Sequence, residues 1–276
     1  MKITVLGCGG SAGVPMLGGA EGALTGLWGN CDPRNSKNRR TRSSIVIEGD
    51  APYIPASAQN EGEGGFRLLI DSGPDFRSQM LDQGLSRVDA VLFTHPHSDH
   101  TSGLDELRSV NRVLNAALPL YARQDVLDEL KQRFGYAFTP WKGPGFFRPV
   151  FDEHLVTAED TISFPGFDVR LFEQRHGKIT TLGLRMGALA YCTDVETLSE
   201  EALDVLHGVD TWLVDCFQYN EHPAHGWLER VLSWRERIGA RRTILTHMGP
   251  EMDYDTLCRE LPEDVEPAFD GMVINT

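Results

Sequence analysis

The stretch VLFTHPHSDHTSGLDEL, residues 91–107, sets three histidines and an aspartate within six positions, directly after an apolar run. The apolar residues before it read as a compact buried strand. The polar cluster therefore sits where a strand ends. Period-two geometry places His95 and His97 on the same side of an extended segment. Asp99 and His100 then fold back at the start of the next turn. Imidazole and carboxylate together suit zinc, manganese or iron, and this many ligands in one loop point to two divalent ions rather than one.

Working outward, three more candidates occupy matching places far along the chain. His176 in EQRHG, Asp194 in YCTDV and His247 in LTHMG each follow an apolar strand or sit at its edge. Any one alone reads equally well as a hydrogen-bonded support. As a set they supply about the number of ligands a two-metal site requires. Asp194 is the natural bridge, because one carboxylate can serve two cations with its two oxygens.

The remaining sequence supplies a frame. KITVLG, SSIVIEG, FRLLIDSG and ALPLYA read as strands in the first half, and residues 18–40 read as a long loop. PDFRSQMLDQGLSRVD, SGLDELRSVNRVL and RQDVLDELKQRFGY carry helical patterns. The polar, breaker-rich residues 50–65 read as an exposed hairpin insertion. AFTPWKGPGFFRPV reads as an aromatic loop that packs onto the body or walls a pocket. In the second half TISFPGFDVRLFEQRHG, TLGLRMGALAYCTDV, TWLVDCFQYN and RRTILTHMG are strand-like, with helices at LSEEALDVLHG and HGWLERVLSWRERIG. Two β-rich halves with helices outside imply one sandwich-like domain over 1–276, with a site built across the sheet edges.

Composition narrows the function classes. A formal charge of −14 over 276 residues argues against a broad grip on nucleic acid or an anionic membrane. Bound cations would reverse the field inside a site, so small anionic substrates stay open. Five dispersed cysteines argue against a disulfide framework and fit a reducing compartment. No stretch approaches the length of an apolar membrane span, and the N-terminus reads as a first strand rather than a leader. The expected location is the cytoplasm.

Taken together, GCGGSAGVP, LLIDSGPDFR, THPHSDHTSGLDELR, YCTD and ILTHMG resemble the metallo-β-lactamase superfamily of two-metal hydrolases. Within it the chain is most similar to the phosphoribosyl 1,2-cyclic phosphate phosphodiesterase group, and more distantly to tRNA 3′-processing endonucleases. The resemblance implies an α/β fold, a four-layer αββα sandwich. It also implies that His95, His97 and His176 hold one metal, that Asp99, His100 and His247 hold the other, and that Asp194 bridges them. Zinc or manganese is the implied occupant, a small phosphorylated molecule the implied substrate, and a homodimer the usual assembly. Members of the group often carry a cysteine-based structural zinc. Here Cys31 has no cysteine nearby except Cys8, so that extra zinc is expected to be absent.

DCFQYNEHPAHGWLERVL adds His222 and His225 ahead of a helix. The resemblance implies that His225, with His222 the weaker contender, sits beside the metals without ligating them and acts as general acid. Asp71 in LLIDSG is expected to orient a metal-binding imidazole through its other ring nitrogen. The basic run Lys37–Arg42, with Lys37, Arg39, Arg40 and Arg42, is the leading candidate for a substrate phosphate grip. GCGGSAG matches neither a P-loop nor a complete dinucleotide fingerprint, and close backbone passage near the metals is the better use of its glycines. Competing readings are an RNA-processing endonuclease, a hydrolase of a carbon ester, thioester or lactam, and a non-catalytic metal-binding protein.

Overall fold

The computed structural model describes all residues except 23, 54–63, 141–142 and 144–149. Thirteen strands follow one another as β1 (Lys2–Gly7), β2 (Ser44–Pro52), β3 (Gly65–Ile70), β4 (Ala90–Leu92), β5 (Leu118–Ala122), β6 (Phe151–Leu155), β7 (Thr161–Phe164), β8 (Phe167–His176), β9 (Ile179–Met186), β10 (Leu189–Cys192), β11 (Thr211–Asp215), β12 (Arg242–Thr246) and β13 (Val265–Pro267). A last strand, β14 (Val273–Asn275), returns to pair with β1. The strands form two seven-stranded sheets, β14-β1-β2-β3-β4-β5-β6 and β13-β12-β11-β10-β9-β8-β7. Each sheet has an antiparallel side and a parallel side. In the first, β3-β4-β5-β6 run parallel; in the second, β10-β11-β12-β13 do.

Side-chain alternation explains why the sheets stack. On β2, β3 and β4, residues Ile45, Ile47, Leu68, Ile70, Ala90 and Leu92 join the core shared with the second sheet. Their neighbours Val46, Leu69 and Val91 belong to a separate outer cluster. Successive residues of a strand face opposite ways, so strands this apolar must be covered on both faces. The outer face of the first sheet is covered by α1 (Phe76–Asp82), α3 (Leu107–Leu114) and α4 (Gln124–Phe138), which bury Met80, Leu107, Val110, Val126 and Leu130 there. The short α2 (Ser98–Thr101) carries the His-rich turn. The second sheet is covered by α5 (Glu200–Leu206), α6 (Leu228–Ile238) and α7 (Tyr254–Glu260), through Leu203, Leu206, Trp234, Ile238 and Leu257. This is the α/β, four-layer αββα sandwich that the sequence motifs imply.

Local chemistry sets the ends of these elements. Ser199 caps α5 by accepting the Ala202 amide, with Glu200 and Glu201 in the first turn. Gly239, at φ 70°, closes α6 in the left-handed conformation that glycine adopts without a Cβ penalty. The run TISFPGFDVRLFEQRHG, which reads as one strand, is two: it turns at Pro165–Gly166 between β7 and β8. Helix α7 has no counterpart in the sequence reading, since it buries only Leu257 and therefore carries no apolar periodicity. Most of the expected hairpin insertion at 50–65 lies outside the described residues, although its base pairs Pro52 with Gly65. Most of the aromatic loop after α4 also lies outside them. Among the described residues, no helix is long and apolar enough to cross a membrane.

Candidate metal centre

The site residues outside the His-rich turn and α2 lie at or just beyond strand ends. Asp71 follows β3, His95 follows β4, His176 ends β8, Asp194 follows β10, Asp215 ends β11 and His247 follows β12. In open α/β sheets, ligands gather where parallel strands finish. Asp71, Asp194 and His247 have φ of 61°, 51° and 54°. Non-glycine residues seldom occupy this left-handed region, and such conformations concentrate at functional sites. Here each one turns a side chain sharply away from its strand.

Two groups of donor atoms converge, and in each group all lie within 4.8 Å of one another. One comprises His95, His97, His176 and Asp194; the other comprises Asp99, His100, Asp194 and His247. Asp194 belongs to both, which is the placement a bridging carboxylate requires. Asp215, His225 and His247 also converge. In that third set, however, Asp215 Oδ2 already accepts from the Val195 amide at 3.0 Å and faces His225 Nδ1 at 2.9 Å.

Hydrogen bonds decide which imidazole nitrogens remain for a cation. Asp71 is fully buried; its Oδ1 accepts the Thr94 amide and its Oδ2 accepts the Thr94 hydroxyl, both at 2.8 Å. Since the Thr94 proton goes to Asp71, the 3.0 Å contact between Thr94 Oγ1 and His95 Nδ1 is donated by the imidazole. His100 Nδ1 donates to Asp71 Oδ2 at 2.7 Å. His176 Nδ1 donates to the Ala224 carbonyl at 2.5 Å. All three rings thus turn an Nε2 lone pair toward the cluster. The buried Nε2 atoms of His95, His100 and His247 have no hydrogen-bond partner. Buried polar atoms without partners are rare, and lone pairs converging on two carboxylates are the donor set a divalent cation satisfies. The residues present therefore fit a metal centre.

The electrostatics agree. Burial pushes His95 and His176 down, so both imidazoles are neutral near pH 7. Burial works against charge on Asp99 and Asp194, yet neighbouring histidines hold both below the ordinary carboxylate range. His100 is desolvated as well, but Asp194, Asp99 and Asp71 push it up in the metal-free protein. Burial likewise opposes charge on His225, and the Asp215 carboxylate overcomes it, raising the imidazole to about 9.

The other expected site residues separate by role. His225 lies with its ring centroid 4.6 Å from His176 and 4.7 Å from His247, against both ligand sets. His222 packs with its ring centroid 5.0 Å from that of His225, and its Nδ1 accepts the Ala224 and His225 amides at 3.2 and 3.1 Å and so shapes the loop. The basic run does not form one patch, which corrects the expected grip. Lys37 donates to the Tyr254 hydroxyl at 2.9 Å and lies over two aromatic rings. Arg39 lies over Trp28. Arg40 is buried and donates to the Gly249 and Met252 carbonyls, tying down the chain beyond His247. Arg42 packs beside Gly73, against the loop that carries Asp99. Cys31 Sγ lies 3.7 Å from Arg40 Nη1, whereas Cys8 Sγ donates to Asp270.

Several contributors escaped the sequence reading. Asp215 ends an apolar strand just as Asp71 follows one, so LVDCF carried the same signal as LLIDSG. Thr94 was visible only as part of a strand. Arg133, whose Nη2 donates to the Pro96 carbonyl at 2.5 Å, holds the His95–His97 turn from α4 and had no local signature.

Paired seven-stranded sheets, outer helices and seven candidate ligands at the strand ends describe one class, and the chain belongs to the metallo-β-lactamase superfamily. Residues 66–248 match its family model, the beta-lactamase superfamily domain. A crystal structure of a diphosphatase from the PhnP family, 30% identical, superposes with a TM-score of 0.83 over 99% of this chain and 96% of that one. That group contains the cyclic phosphodiesterases which the sequence motifs resemble. An octanoyltransferase of Porphyromonas gingivalis is 30% identical over 274 residues, which are 99% of this chain but 51% of that protein. The chain thus spans about half of that relative's length. The Zn(2+)-bound PqqB of Methylobacterium extorquens shares the fold, with a TM-score of 0.73 at 20% identity over the full length of both chains. The protein has the metallo-β-lactamase fold and carries a candidate divalent-metal centre at its strand ends.

Proposed function

We propose that the protein is a dinuclear phosphodiesterase that opens a small cyclic phosphodiester, with phosphoribosyl 1,2-cyclic phosphate as the model substrate. The observation that carries this reading is the position of His225 against both ligand sets while its Nδ1 is held by Asp215. His95, His97 and His176 would hold one divalent cation and Asp99, His100 and His247 the other, with Asp194 between them. Zinc or manganese suits these ligands. Bound there, the cations would lower the pKa of water and neutralise charge growing on the phosphoryl oxygens.

The chain's own residues would do the rest. Asp71 and the Ala224 carbonyl fix ligand tautomers. Asp215 keeps His225 protonated and aims it. As water adds to phosphorus and one ring P–O bond breaks, His225 would give its proton to the departing sugar oxygen. A monoester then remains. The same groups would serve a P–O–P bond, a second reading favoured by the diphosphatase of similar structure.

The test is hydrolysis of the cyclic ester by metal-loaded wild type and His225→Ala, with a diphosphate ester alongside. The reading expects a kcat loss of roughly 10²- to 10⁴-fold in the variant, with both metals retained. Failure of the wild type to cleave either substrate, combined with turnover of a carbon ester, would end it.

A further inference from the structure

We propose that Arg42 and the Gly10–Gly13 turn form a subsite for a second, non-reacting phosphate group of the substrate. This rests on the phosphoester reading above and names a residue that would set its specificity.

The turn is closed by the Gly13 amide donating to the Gly10 carbonyl at 2.8 Å. Ser11 and Ala12 at its crown are exposed, and among the described residues their amides donate to no protein group. One end of the turn touches the metal centre. A Cβ on Gly10 would lie 3.5 Å from His247 Cε1 and 2.7 Å from Phe217 Cε2, so only glycine lets the chain pass this close. The other end touches Arg42, whose Nη1 lies 3.4 Å from where a Gly13 Cβ would stand. Arg42 also borders the ligand loop: a Cβ on Gly73 would meet Asp99 O at 2.2 Å and Arg42 Cβ at 3.4 Å.

Arg42 is anchored along one side only. Asp75 Oδ2 accepts the Arg42 amide at 2.9 Å and pairs with its Nε at the same distance. Neither Nη donates to a protein acceptor among the described residues, and 27% of the side chain remains exposed. The result is a guanidinium anchored on one edge with its fork unspent, against Gly13 at the end of the turn that carries two unspent amides. That combination matches the three acceptor oxygens of a phosphate. The other cations of the run cannot substitute, since Lys37 and Arg40 are committed elsewhere. Asp75 leaves Arg42 partly compensated, which favours a ligand bound through the fork rather than by net charge.

The experiment compares phosphoribosyl 1,2-cyclic phosphate with ribose 1,2-cyclic phosphate, using metal-loaded wild type, Arg42→Met, Arg42→Lys and the control Arg39→Met. Arg42→Met should lower kcat/KM for the phosphorylated ester about 10- to 100-fold, mainly through KM. The unphosphorylated ester should stay within about twofold, and Arg42→Lys should recover part of the loss. Equal losses on both esters, or on neither, would overturn the subsite. Inorganic phosphate provides an independent probe: it should shift the Ser11 and Ala12 amide resonances in wild type but not in Arg42→Met. If neither ester is hydrolysed yet those Arg42-dependent shifts appear, the substrate assignment fails and the anion subsite stands. If the amides do not respond, the subsite itself is wrong.

Discussion

Asp71→Asn is the substitution whose outcome follows most tightly from the hydrogen-bond network. The change is nearly isosteric, and asparagine tolerates the φ of 61° at this position. Asp71 Oδ2 accepts two donors in wild type, the Thr94 hydroxyl and His100 Nδ1. With Oδ1 kept opposite the Thr94 amide, the new NH₂ group faces both of them. Thr94 must then turn its hydroxyl and can donate to His95 Nδ1, which moves the His95 proton to Nε2. His100 loses its acceptor at Nδ1 and favours the same unproductive tautomer. One atom exchange thus removes a lone pair from each ligand set. Loss of a partner that orients a ligating histidine costs roughly 10- to 100-fold in metal affinity. Each site therefore loses roughly 10- to 100-fold, and the product of the two binding constants roughly 10²- to 10⁴-fold, or about 3–5.5 kcal/mol in all. Competition with a chromophoric chelator measures this directly, with circular dichroism confirming that the metal-free variant is folded. Metal affinity within threefold of wild type would refute the tautomer argument.

Two further outcomes follow from the structure. Asp253 accepts the Thr256, Asp32 and Asn38 donors; these outweigh its desolvation and hold it at about 2. Because the folded value lies below the unfolded one, its contribution is fully present above about pH 4 and fades as pH falls toward 2. Asp253→Ala should therefore destabilise the fold at pH 7 and do so less near pH 3, in paired urea titrations; a pH-independent difference would contradict the assignment. Gly73→Ala places a Cβ 2.2 Å from the Asp99 carbonyl, so the ligand loop must move, and metal affinity should fall with stability. Unchanged metal binding in that variant would show that the loop yields freely.

The fold was legible because its strands are long in apolar residues and its ligands punctuate their ends. His95, His97, Asp99 and His100 announced themselves by local density; His176, Asp194 and His247 became meaningful only as a set. The less visible parts are those whose signal is non-local. Asp215 lies ten residues before the imidazole it holds, and Arg133 reaches Pro96 from a different helix. The run Lys37–Arg42 misled for the same reason. Charge density in sequence does not say which guanidinium is buried, and Arg40 spends its Nη groups on the Gly249 and Met252 carbonyls, Asn38 and Cys31 while Arg42 keeps its fork. Helix α7 escaped because it buries only Leu257 and so shows no apolar stripe, whereas α5, equally short, buries four residues on one side.

The central claim, two cations sharing Asp194, is tested most directly by counting metal per chain while titrating zinc or manganese into chelator-stripped protein and following phosphodiester hydrolysis in parallel. The account predicts two equivalents bound, with activity rising to a plateau at the second, and loss of that second equivalent in Asp194→Ala. Saturation of both binding and activity at one equivalent, or full turnover by the stripped protein, would contradict it.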